Sequence, residues 1–144
     1  MLLGTHEHTI DDKNRLTLPA KFRDSFAGGV IVARGLDHCL RVFRRADWAR
    51  LVESRLAPLD PFSQATRRIQ RFHFTGAAEA ELDKQGRVNI PAHLLEHAGL
   101  KRDVIVAGTG DHLEIWDRET WRRELAEVEG SAEDVAERLA AKSH

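Results

Sequence analysis

The sequence predicts an α+β protein in which two tandem ββαββ units intertwine in one pseudo-twofold β-barrel, each followed by a trailing helix. Three observations predict it. The segment from Ile10 to Ala20 is echoed from Leu82 to Ala92, 72 positions on, which marks an internal duplication. Each copy runs through the same order of short apolar stretches and turn-forming residues. A copy without its trailing helix has only about 45 residues, below the size at which a lone core is usually sufficient, so each needs the other.

The echo is ordered along its whole length. Ile10-Asp11-Asp12-Lys13-Asn14-Arg15-Leu16-Thr17-Leu18-Pro19-Ala20 returns as Leu82-Asp83-Lys84-Gln85-Gly86-Arg87-Val88-Asn89-Ile90-Pro91-Ala92. Leu3-Gly4 returns as Thr75-Gly76, and Val30-Ile31-Val32-Ala33 as Val104-Ile105-Val106-Ala107. Leu40, Val42, Phe43 and Trp48 return as Leu113, Ile115, Trp116 and Trp121.

Each element follows from local chemistry. A first strand is expected over residues 3–10 or 74–82, ending at an Asp-rich turn, with a second short strand over 15–18 or 87–90. Pro19 and Pro91 then stand where a helix begins and its early N–H groups lack partners, so helices are expected over 20–26 and 92–98. Gly28-Gly29 and Gly99 stop them. The apolar runs 30–33 and 104–107 read as buried strands, and a turn at Asp37-His38 or Gly110-Asp111 leads to the last strands, 40–43 and 113–116. Helices beginning near Ala46 and Asp117 carry Trp48 and Trp121, whose matching positions favour packing on the barrel over base stacking. The expected organisation is a first repeat at 1–56, a helical connector at 57–71, a second repeat at 72–129 and a separate terminal helix at 130–144 with Ser131 as its N-cap.

Composition bounds the function. With 42% hydrophobic and 31% charged residues the chain has too much apolar content for disorder. No stretch approaches the about 18 apolar residues of a membrane span, and the N-terminus lacks the features of a signal peptide, so a cytoplasmic protein with no membrane partner is expected. Cys39 is the only cysteine, which excludes an intrachain disulfide and reads as a small buried residue. The net charge of −1 argues against indiscriminate nucleic-acid binding. Its distribution is uneven: residues 1–71 hold 13 Lys+Arg against 8 Asp+Glu, and residues 72–144 hold 9 against 15, so the first half is the better partner for a polyanion.

The chemistry is carried by Asp-x-x-x-Arg, present as Asp11 to Arg15 and as Asp83 to Arg87. Asn14 and Gly86, directly before the arginines, are residues that tolerate positive φ and allow a tight reversal. Asp11 or Asp83 can bond the turn amides or pair with the arginine. Two readings remain open on the residues alone. One is an intramolecular salt bridge that merely closes a surface turn. The other is a guanidinium presented at a hairpin edge, able to bond guanine O6 and N7 in the major groove, with Lys13 or Lys84 beside it for phosphate.

The stretch Leu3-Gly4 together with Asp11-Asp12-Lys13-Asn14-Arg15-Leu16-Thr17-Leu18-Pro19-Ala20-Lys21-Phe22-Arg23 resembles the opening signature of MraZ proteins, and Asp83-Lys84-Gln85-Gly86-Arg87 resembles their second motif. The resemblance covers residues 1 to about 125. It implies a double swapped-hairpin barrel related to AbrB-type regulators, so that both repeats would be AbrB-like. It also implies a homo-oligomeric ring that binds double-stranded DNA at short promoter repeats and represses the division and cell-wall gene cluster. The family's DNA-binding arginine falls on Arg15, with Lys13 and Asn14 flanking it and Asp11 orienting it; Arg87 and Lys84 are the second-copy counterparts. Asn14 departs from the family's usual glycine, but asparagine accepts the same left-handed turn. Lys21 and Arg23 are candidates for phosphate contact or for plain solvated charge.

No enzyme, cofactor or small-molecule substrate is expected. The sharpest alternative is His93-Leu94-Leu95-Glu96-His97, which fits the H-x-x-E-H pattern of zinc metallopeptidases. Its helix is expected to be short, and no downstream helix offers a third ligand. His6 and His8 share one side of a strand and read as polar strand residues rather than a metal site. An antitoxin-like swapped-hairpin protein is a further alternative, and the doubling within one chain speaks against it.

Overall fold

The computed structural model describes residues 1–142. The first repeat contains β1 (Leu2–Thr9), β2 (Arg15–Thr17), α1 (Ala20–Arg23) passing into a 3-10 turn at Asp24–Phe26, β3 (Val30–Arg34), β4 (Leu40–Arg44) and α2 (Arg45–Leu51), which continues through a π-helical turn at Val52–Leu56. The connector forms α3 (Gln64–Thr75). The second repeat contains β5 (Ala78–Ala80), β6 (Arg87–Asn89), α4 (Ala92–Ala98), β7 (Asp103–Gly110), β8 (His112–Asp117) and α5 (Arg118–Lys142). The ββαββ order therefore holds in both copies.

Local signals account for most element ends. Pro19 and Pro91 occupy the N-cap positions of α1 and α4, with extended ψ of 136° and 146°. Gly99 closes α4 in the left-handed region at φ 59°, and the Leu100 N–H donates back to the Leu95 carbonyl at 2.9 Å. Ser63 caps α3, its side chain accepting from the Thr66 N–H.

Six strands form one antiparallel sheet in the order β1-β7-β8-β4-β3-β5, and β2 pairs with β6 in a separate two-stranded ribbon. The copies are interleaved. β1 of the first adds to β7 of the second, β5 of the second adds to β3 of the first, and β4 joins β8 at the centre through Leu40↔Ile115 and Val42↔Leu113.

The expected closed barrel does not form, because the sheet ends at β1 and β5. The edges differ in length for a local reason. β1 pairs over eight residues, from Leu2↔Gly110 to Thr9↔Asp103, whereas β5 pairs over three. Phe74 and Thr75, expected at the start of that strand, are instead the last residues of α3.

The central strands are buried on both faces, which explains why β3 and β7 are continuous apolar runs rather than alternating ones. On one face Val30, Val32, Val104 and Val106 meet Leu16 and Val88 of the ribbon, Phe22 of α1 and Leu94 of α4 in the main core. On the other, Ile31, Ala33 and Phe43 lie under Trp48 of α2, and Ile105, Ala107 and Trp116 under Trp121 of α5. The two tryptophans make corresponding contacts: Trp48 edge-on to Phe43 with centroids 5.3 Å apart, Trp121 tilted on Trp116 at 5.7 Å. Both pack against the sheet.

Over residues 130–142 the expected separate terminal helix is instead part of a single helix, α5, that continues from the second repeat through Lys142; the last two residues of that expectation, 143 and 144, lie outside the described residues. Ser131 is not its cap. The Ser131 hydroxyl donates to the Glu127 carbonyl at 2.6 Å, one turn back. Gly130 costs an α-helix about 1 kcal/mol relative to alanine, and no proline accompanies it to interrupt the hydrogen-bond ladder.

Candidate nucleic-acid interface

The ribbon is where the duplication becomes a site. Its register is Arg15↔Asn89, Leu16↔Val88 and Thr17↔Arg87, so Leu16 faces its own counterpart at the centre. Because side chains alternate along a strand, Leu16 and Val88 point together into the core, both 0% exposed. Arg15, Thr17, Arg87 and Asn89 share the opposite, outer face.

Each end of the ribbon carries one Asp-x-x-x-Arg turn, and the two turns are the same construction. The Asn14 N–H donates to the Asp11 carbonyl at 3.0 Å, and the Gly86 N–H to the Asp83 carbonyl at 3.0 Å. Asn14 is the only non-glycine residue with positive φ among the described residues, at 60°, and Gly86 has φ 76°. The Asp11 Oδ1 accepts from the backbone N–H groups of Lys13 and Arg15, both at 2.9 Å, while Oδ2 accepts from Arg15 Nε at 2.8 Å. Asp83 does the same with Gln85, Arg87 and Arg87 Nε, the last at 2.7 Å.

The turns are also tied to each other's copy. The Leu18 N–H donates to the Gly86 carbonyl at 2.9 Å and the Ile90 N–H to the Asn14 carbonyl at 2.8 Å, a reciprocal pair. Asn89 Nδ2 adds a bond to the Lys13 carbonyl at 3.2 Å.

These bonds act on the carboxylates. The Arg15 backbone N–H, followed by the Arg15 side chain and the Lys13 N–H, holds Asp11 below its ordinary value of 3.8, and Arg87 with Gln85 does the same for Asp83. A carboxylate with a lowered folded-state pKa stabilises the turn above the ordinary carboxylate range, and loses that effect as pH falls through the lowered value. In a carbon-detected NMR titration both carboxyls are expected to show midpoints below 3.8. A midpoint at or above that value would mean that the clasp does not exist in solution.

The arginines differ in what remains available. Arg15 and Arg87 side chains are 29% and 27% exposed. Arg87 Nη2 turns back to Gln85 Oε1 at 3.4 Å, whereas the terminal nitrogens of Arg15 have no protein partner among the described residues. Lys13, Asn14 and Lys84 are exposed beside them. The turns stand at opposite ends of the ribbon, so Lys13 and Asn14 accompany Arg15 only, and Lys84 accompanies Arg87.

Sequence reasoning missed Thr17 and Asn89 on the outer face; the period of two within each short strand was the available signal. Arg23, read only as a phosphate or surface residue, crosses to the second copy: its Nε donates to the Leu18 carbonyl at 3.1 Å beside Gly86.

His97 Nε2 bonds with the Gly35 carbonyl at 3.0 Å, while His93 and Glu96 are exposed. Among the described residues no three His, Cys, Asp or Glu side chains converge as a metal site, so nothing in the geometry favours the zinc alternative. His6 sets its ring edge-on to Phe22 at 5.4 Å, and burial followed by the Lys21 charge lowers its pKa. The Cys39 thiol is buried and pushed up to about 12, chiefly by desolvation, which fits a packed, unreactive residue. No helix among the described residues is long and apolar enough to cross a membrane.

The fold and site define an internally duplicated α+β protein that carries two matched arginine turns on one ribbon shared by both halves. The family described as "MraZ protein, putative antitoxin-like" matches the chain twice, over residues 1–72 and 73–142. A protein of Heliobacterium modesticaldum named transcriptional regulator MraZ is 46% identical over 140 residues, 96% of each chain. Proteins of the same name from Limosilactobacillus fermentum and Roseiflexus castenholzii are 47% identical over 84% of each chain and 44% identical over 97% of each chain. The chain belongs to the MraZ family.

Proposed function

We propose that the protein is a transcriptional regulator that binds double-stranded DNA with the outer face of the β2–β6 ribbon. One observation carries this reading: Asp11 fixes Arg15 through its backbone N–H and its Nε, and leaves the terminal guanidinium nitrogens unused on an outward face. A two-stranded ribbon is narrow enough for the major groove, and a pre-aimed guanidinium matches guanine O6 and N7. Lys13 and Lys84 meet phosphates at the two ends, and Asn14 and Asp11 set the direction of Arg15.

The sites are short repeats in the promoter of the division and cell-wall gene cluster, which the protein represses from the cytoplasm in association with the nucleoid. A single chain offers few base contacts. Copies assembled in a homo-oligomeric ring engage successive repeats, and affinity accumulates by multivalency.

Fluorescence anisotropy with the duplex immediately upstream of the gene and an unrelated duplex of equal length, across ionic strengths, tests the reading. Expected are a clear preference for the upstream duplex and an affinity that falls steeply with salt. Equal affinity for the two duplexes at every salt concentration sinks it.

A further inference from the structure

The two turns are built alike, but their surroundings are not. Arg23 ends α1 in the first copy, and its guanidinium lies against the turn of the second. A Cβ on Gly86 would run into Nε, Cδ and Cζ of Arg23, so the guanidinium fills the space beside the reversal. Its Nε is held by the Leu18 carbonyl at 3.1 Å. No ion pair joins Arg23 to a carboxylate among the described residues; Asp24, Glu81 and Asp83 line the same hollow with Lys84, and Asp83 is engaged by Arg87.

The counterpart of Arg23 in the second copy is Leu95, packed against the core. At the turn that carries Arg15, the position equivalent to Arg23 therefore supplies no cation. The turn that carries Arg87 receives one, anchored at Nε with its terminal nitrogens left for a ligand, next to the exposed Lys84. Arg23 stands at the end of α1, in a hollow beside the ribbon and not on its outer face as Arg15 does, and its two terminal nitrogens match two oxygens of one phosphate.

We propose that Arg23 and Lys84 form a phosphate-binding site assembled from both copies, which holds the DNA backbone while Arg15 at the other end of the ribbon selects the base. The division of labour rests on the DNA-binding reading above. It assigns the two ends of one ribbon different tasks: one sets specificity and the other sets sequence-independent affinity.

The experiment measures binding of the upstream and unrelated duplexes from low to moderate salt for wild type, Arg23→Gln, Arg23→Lys and Lys84→Gln. Arg23→Gln is expected to weaken both duplexes by one common factor, leaving their ratio as in wild type. It should also flatten the slope of log affinity against log salt by about 0.9, the loss of one phosphate contact. Lys84→Gln should behave alike, and Arg23→Lys should retain the wild-type slope. Lys84 is exposed and supports no backbone group, so its variant decides the matter if Arg23→Gln fails to fold. Wild-type slopes in both glutamine variants, or a loss confined to the upstream duplex, overturn the proposal, and with it the phosphate contact given to Lys84, while leaving base recognition by Arg15 intact. Absence of both salt dependence and preference in the wild type removes the reading and the proposal together.

Discussion

Arg15→Ala is expected to abolish the preference for the upstream duplex while the protein melts as the wild type does. The stability half of this expectation follows from exposure. The Arg15–Asp11 pair has side chains 29% and 33% exposed, and an ion pair so placed in solvent contributes little to stability. Asp11 also keeps its bonds to the Lys13 N–H and the residue-15 backbone N–H, so the turn survives the substitution. The binding half follows from what is lost: a bidentate guanine contact discriminates by about 1–3 kcal/mol, and the loss is repeated in every copy that touches the DNA. Arg87→Ala is expected to cost less, because one of its terminal nitrogens is already spent on Gln85. Unchanged discrimination by Arg15→Ala, with its thermal melt intact, refutes the assignment of Arg15.

Leu16→Ala is expected to give the largest loss of stability of any substitution considered. Leu16 is 0% exposed and faces Val88 across the centre of the ribbon, within the core that also holds Leu18, Ile90 and Leu94. Leucine-to-alanine changes in such positions cost about 2–5 kcal/mol, since the lost transfer energy is joined by the cavity left behind. For a chain of this size that lowers the melting temperature by roughly 5–20 °C. Circular dichroism melting checks it, and a drop of less than about 2 °C would show that the ribbon is not held through this residue. Leu16→Met, which conserves volume, is expected to cost less than about 1.5 kcal/mol.

Much of the fold was legible because the signals were local and appeared twice. Pro19 and Pro91 start their helices, Gly99 ends one, and Asn14 and Gly86 take the positive φ that the motif requires. The double-sided burial of β3 and β7 was written in their unbroken apolar runs. What stayed hidden was non-local. Whether six strands close into a barrel depends on how many residues remain for β5 after α3 ends, and the helical pattern of the connector gave no firm stop before Gly76. The terminal helix was divided at Gly130 and Ser131 because both are common at helix boundaries, but α5 runs through them. At the site, the motif identified Asp11, Arg15 and their counterparts, while the pairing of β2 with β6 across copies decided which neighbours join them. No local pattern announces that Arg23 will reach the reversal at Gly86.

The register of the ribbon also limits how much text one chain can read. Arg15 and Arg87 are staggered by two residues, roughly 7 Å at the rise of an extended strand, and B-DNA advances 3.4 Å per nucleotide along each strand. On the DNA-binding reading proposed above, a lone subunit would cover about two steps of the duplex, too short an address to be unique in a genome. On the same reading, the length and phasing of a longer operator would be set by the distance from one subunit to the next, so a change that respaces neighbours would rewrite the preferred sequence without altering a single contacting side chain.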